Sequence, residues 1–80
     1  MTVFPNPAKE MLNVKFNSSA EGLFSFKVFD MIGKNVSNTV QKGIKGMNTF
    51  ELNLSELNRG IYFIEVSNNA EREIKKIILN

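Results

Sequence analysis

Few side chains in this sequence could do covalent chemistry. It holds no histidine and no cysteine, so general-base and nucleophile roles would fall to carboxylates, lysines, serines or Tyr62. Glu71 and Glu73 have the spacing of an acid–base pair on one face of a strand. Arg72 and Lys75 lie among them, however, and the segment reads as a solvated charged edge. Asp30 opens Asp30-Met31-Ile32-Gly33 and reads as a turn former, not an acid. Soft metal ligands are missing and no loop spaces carboxylates for calcium, so no metal site and no cofactor are expected. Gly43 and Gly46 lack the strand-to-helix setting of a phosphate cradle. The Asn-x-Ser triplets at Asn17, Asn35 and Asn53 read as loop or strand-face residues. No catalytic residue is assigned.

Recognition without chemistry is the better prospect. A sugar site would need exposed flat aromatics, yet there is no tryptophan, and Tyr62 and most phenylalanines fall on apolar-patterned faces. Phe29 and Phe63 alone are out of phase, which leaves two exposed rings with no polar constellation around them. The net charge is +2. Lys15, Lys27, Lys34, Lys42 and Lys45 are interspersed with Glu10, Glu21, Asp30 and Glu51, so no basic stripe tracks a phosphate backbone and no nucleic acid partner is expected. The tail, Glu71 to Asn80, turns from a charged run into an apolar strand. It reads either as a last strand whose lysines guard an edge or as a handle captured by strand pairing or by its side chains.

The elements that would carry such a surface repeat with period two. Leu12, Val14 and Phe16 alternate with polar residues, as do Phe24, Phe26 and Val28, then Phe50, Leu52 and Leu54, then Tyr62, Ile64 and Val66. A weaker strand is expected near Val36–Val40, a last one over Glu73–Leu79 and a short one at Thr2–Phe4. About seven short strands predict an all-β fold, an antiparallel β-sandwich. Asp30 to Gly33 predicts a type I turn followed by a left-handed glycine, and Gly43 to Gly46 another reversal. Residues 54–60 are too long for a tight hairpin and predict a helical turn crossing between sheets. In that turn Ser55 would cap, Leu57 would plug the core and Gly60 would end it in the left-handed conformation.

Eighty residues with 42% hydrophobic content make one small folded domain, residues 1–80. The absence of cysteine mildly favours a reducing compartment. No apolar run approaches the roughly 20 residues of a membrane span, and no signal-peptide pattern opens the chain. Both prolines fall at Pro5 and Pro7, where neither can donate to a ladder. That suits a stiff segment setting the angle at which a preceding chain joins the domain.

Four motifs occur in order: Pro5-Asn6-Pro7-Ala8; Val28-Phe29-Asp30-Met31-Ile32-Gly33-Lys34; Leu57-Asn58-Arg59-Gly60-Ile61-Tyr62-Phe63-Ile64-Glu65-Val66; and Lys75-Lys76-Ile77-Ile78. Together, over nearly the whole chain, they resemble the C-terminal sorting domain of the type IX (Por) secretion system, type A. The resemblance implies an immunoglobulin-like sandwich at the C-terminus of a larger cargo protein in a Gram-negative bacterium. The cargo would reach the periplasm by its own signal peptide. Outer-membrane components, including a shuttle protein, would then recognise this domain and pass the cargo to the cell surface or medium. A sortase-like peptidase would remove it as a substrate, in the linker upstream of Pro5, which places the domain outside the cytoplasm without disulfides. Pro5, Asn6, Pro7, Asp30, Gly33, Lys34, Gly60 and Tyr62 match motif positions and read as mainly structural. Lys75, Lys76, Ile77, Ile78, Leu79 and Asn80 are the expected recognition segment. The competing reading is an immunoglobulin-like accessory module binding carbohydrate or a neighbouring catalytic domain.

Overall fold

The structure, a computed structural model, describes residues 1–80. Seven strands follow one another: β1 (Thr2–Phe4), β2 (Met11–Ser18), β3 (Gly22–Phe29), β4 (Asn35–Gly43), β5 (Gly46–Asn53), β6 (Gly60–Ser67) and β7 (Arg72–Leu79). They form two antiparallel sheets, β1-β2-β5 and β4-β3-β6-β7. The chain therefore crosses between sheets at β2–β3, β4–β5 and β5–β6, as in an immunoglobulin-like sandwich. The predicted all-β fold and its strands are present.

Alternation explains the layering. Leu12, Val14 and Phe16 of β2 and Phe50 and Leu52 of β5 turn inward to meet Phe24, Phe26 and Val28 of β3 and Tyr62, Ile64 and Val66 of β6. A chain of rings stitches the sheets together. Phe16 meets Phe24 edge-on at 5.7 Å between ring centroids, Phe24 meets Phe50 at 5.0 Å, and Phe26 meets Phe50 at 4.8 Å. Each such pair adds about 0.5–1.5 kcal/mol beyond burial alone. The weak strand runs longer than expected, from Asn35 to Gly43, because it pairs with β3 along its whole length. As a sheet edge it buries almost nothing, so its sequence carries little alternation.

The β5–β6 corner differs in detail from the expected helical turn. It holds a single i→i+3 bond, Leu57 N–H to Leu54 O at 3.1 Å, and no helix. Ser55 is not the cap: its own N–H donates to Asn53 Oδ1 at 2.9 Å, an Asx turn made by the residue two positions earlier. Leu57 does pack against the core. Gly60 has a positive φ of +151°, but this lies far from the left-handed helical value near +57°, and Gly60 opens β6 and does not close a helix. The phenol of Tyr62 donates to Asn58 O at 2.6 Å. That is the tyrosine corner of immunoglobulin-like sandwiches, a tyrosine near the start of the sixth strand bonded back to the preceding loop.

The prolines sit where the chain changes sheets. β1 pairs with β2; four residues later Ala8 pairs in parallel with Leu79 of β7. Ala8 N–H donates to Ile78 O at 2.8 Å and Asn80 N–H donates to Ala8 O at 2.7 Å. Pro5 and Pro7, each after a cis peptide bond, occupy the crossing itself, where no ladder requires a donor.

Candidate recognition surface

Alternation divides the C-terminal segment into two sets. Ile77 and Leu79 are buried, 0% and 3% exposed, so in the folded domain they anchor β7 and present nothing outward. Lys75, Lys76, Ile78 and Asn80 are exposed. As the last strand of its sheet, β7 has one free edge, but that edge is partly closed. Ile78 donates its N–H to Asn6 Oδ1 at 3.1 Å and receives Ala8 N–H on its carbonyl. Asn6 of the opening motif thus clamps the closing motif, which gives a structural reason for a residue otherwise known only by its match. Strand addition is left the stretch nearer Arg72, where Lys75 and Lys76 flank the edge.

The outer face of the four-stranded sheet gathers the other motifs. In register, Phe29 lies opposite Phe63, and Phe63 opposite Lys76. In the next row toward the β3–β4 turn, Ile61 lies opposite Ile78. The turn adds Met31 and Ile32, which are 63% and 88% exposed. Its shape comes from Asp30: Oδ1 accepts the N–H groups of Ile32 at 3.0 Å and Lys34 at 2.9 Å, and Gly33 N–H donates to Asp30 O. Gly33 takes φ +88°, a conformation that glycine enters without strain. Arg59, Gly60 and Ile61 wall a shallow depression of about 320 Å³ shared with Asp30, Met31 and Ile32. Phe29 and Phe63, expected as isolated exposed rings, are half-buried cross-strand neighbours at the centre of this face.

Three carboxylates on or beside the last two strands have partners of their own. Glu65 pairs with Arg72 at 3.5 Å, and Glu73 lies 2.7 Å from the backbone nitrogen of Met1. Glu71 departs from the expected solvated edge. It lies just before β7, and its Oε1 accepts Ser19 N–H at 2.8 Å and Ser19 Oγ–H at 3.0 Å, with Ser18 Oγ 3.2 Å away. The Ser19 backbone donor, more than the Ser19 and Ser18 hydroxyls, holds its carboxyl below the usual glutamate range, while partial burial opposes the shift. Asn68 closes the same end: Oδ1 accepts Ala70 and Glu71 N–H, and Nδ2 donates to Ser18 Oγ. Asn48, also unforeseen, is buried and ties the β4–β5 turn. Its side chain accepts Ile44 N–H at 2.8 Å and donates to Ile44 O at 2.9 Å. The phase of the alternation held the clue, since Ser18 and Asn48 continue inward-facing rows. No three acidic side chains converge on one point.

Residues of these kinds in this arrangement define a small immunoglobulin-like β-sandwich with no cluster of catalytic groups. The chain matches the family model described as a secretion system C-terminal sorting domain over residues 2–80, and it belongs to that family, the sorting domains of the type IX system. No curated protein matches it significantly. Membership implies attachment to a cargo, interaction with the type IX secretion machinery, and a secreted or cell-surface protein of Bacteroidetes.

Proposed function

We propose that this domain is a sorting signal read in its folded state, of type A, which directs an attached cargo across the outer membrane. The observation that carries this reading is the family match, which extends along almost the entire sandwich and not over one strand. The domain supplies no catalytic group. Outer-membrane components, a shuttle protein among them, bind it, and a sortase-like peptidase removes it by cutting upstream of Pro5. Lys75, Lys76, Ile78 and Asn80 offer contacts to those components, while Ile77 and Leu79 hold the strand that displays them. Pro5, Asn6, Pro7, Asp30, Gly33, Lys34, Gly60 and Tyr62 shape the display.

The test is a fusion of a signal peptide, a reporter and residues 1–80, expressed in a type IX-competent bacterium and in an isogenic strain lacking the translocon. The expected result is reporter at the surface or in the medium of the first strain and in the periplasm of the second. Periplasmic retention in both would refute the reading.

A further inference from the structure

The two outer faces of the sandwich differ in kind. On the three-stranded sheet, the outward residues in the middle of β2 and β5 are polar, Asn13, Lys15 and Asn17 beside Thr49, Glu51 and Asn53, with exposed apolar side chains only toward the ends, Phe4 and Met11 at one and Met47 at the other. On the four-stranded sheet, toward the β3–β4 turn, Phe29, Phe63, Ile61, Ile78, Met31 and Ile32 form one apolar area. Apolar surface left open in this way on a small domain marks an interaction site.

Its rim is predominantly cationic. Lys34 follows the turn, Arg59 borders the depression beneath Met31 and Ile32, and Lys76 closes the row of Phe29 and Phe63. None of these cations forms an ion pair; the only one between side chains is Glu65–Arg72. Two acidic groups lie near them: Asp30, which lines the same depression and accepts two backbone N–H groups, and Glu65, which is paired with Arg72; the three cations outnumber the one unpaired carboxylate. A second copy would bring cations against cations, so the charge argues against self-association. It suits a protein partner whose apolar contact residues are ringed by Asp and Glu.

We infer that this face docks an acidic-rimmed apolar surface on an outer-membrane protein of the secretion machinery, with Ile32, Ile61 and Phe63 as anchors and Lys34, Arg59 and Lys76 as the electrostatic frame. This rests on the sorting-signal reading and names the surface and the partner chemistry through which it works. The open part of the β7 edge stays free.

The experiment uses the same reporter fusion with Lys34→Glu/Lys76→Glu, with Ile61→Ser as an apolar variant and Lys15→Glu on the opposite face as control. All four substituted positions are exposed, and the melting temperatures are measured in parallel. Export of the double reversal is expected to fall about tenfold or more, and Ile61→Ser to reduce it as well, while Lys15→Glu exports normally. A photo-crosslinker at Ile32 should give an adduct with an outer-membrane component of the machinery, identified by mass spectrometry and lost in the double reversal. If the unaltered fusion crosses and both face variants cross equally well, the inference falls and the sorting signal stands. Adducts with lipopolysaccharide, or between two copies of the domain, also overturn it. If the unaltered fusion stays in the periplasm, the sorting-signal reading fails and takes this inference with it.

Discussion

Tyr62 isolates one interaction cleanly. Its ring is 8% exposed within the core, and its phenol donates to Asn58 O at 2.6 Å, so Tyr62→Phe removes the bond and leaves the packing. Asn58 is exposed, and water can take over its carbonyl, which limits the cost to about 1 kcal/mol. In a domain of this size that corresponds to a melting temperature about 4–8 °C lower, measured by circular dichroism. No change would mean that the corner is held by Leu57 packing alone. Gly60, two residues away, was readable from the sequence as a backbone requirement, and its φ of +151° is positive, though not left-handed helical. The reason for Gly43 was not legible. A Cβ there would lie 2.2 Å from Phe24 Cε1, and only a folded sandwich brings that ring, which contacts both Phe16 and Phe50, against the end of β4. Asn48 was hidden for a related reason. Its partners at Ile44 and Gly46 are close in sequence, but nothing local says that the turn will be sealed from solvent.

Among the elements, central strands were legible because both β3 and β6 alternate strictly between core and outer face. β4 was seen only in part because an edge strand is selected for pairing and solubility and not for burial. The candidate surface was only half legible. The tail's apolar strand stood out in the sequence, but the face that joins β3, β6 and β7 depends on a strand order, β4-β3-β6-β7, that no single segment encodes. One link between elements allows a direct test. Glu71 joins the β6–β7 hairpin to the β2–β3 loop through Ser19, and its carboxyl is held below its ordinary value of 4.5. Because the folded-state value is the lower one, this stabilisation is complete above pH 4.5 and is lost as pH falls through the folded-state value. Glu71→Gln should therefore melt below the unaltered domain at neutral pH, and the gap should narrow on acidification below pH 4.5. A gap that stays constant with pH would assign the contact to hydrogen-bond geometry and not to charge.

At the scale of the molecule, junction and docking face lie apart. Met1 reaches Glu73 near the start of β7, whereas Ile78 belongs to the face near its end. Five residues of strand separate them by about 17 Å, in a body whose longest extent is 33 Å. A cargo joined upstream of β1 would therefore enter at the end of β7 away from that face. The same layout makes the C-terminal segment serve two purposes at once. Removing Lys75–Asn80 deletes exposed contacts, but it also strips Ile77 and Leu79 from the core and opens the edge of β6, which pairs with β7 along its whole length. Burying each of those two side chains contributes about 1.5–3 kcal/mol, against a total stability of about 4–12 kcal/mol for a chain this long. The truncated domain should lose its cooperative thermal transition, and Ile77→Ala should lower the melting temperature without touching the surface. Lost export on truncation would thus reflect a lost fold as much as a lost signal. Separating the two requires variants that melt normally, and Lys76→Glu, exposed on the outer face, should be one: export reduced, melting temperature within about 2 °C of the unaltered domain. If Lys76→Glu exports normally while Ile77→Ala does not, the machinery reads the integrity of the sandwich and not the side chains it displays.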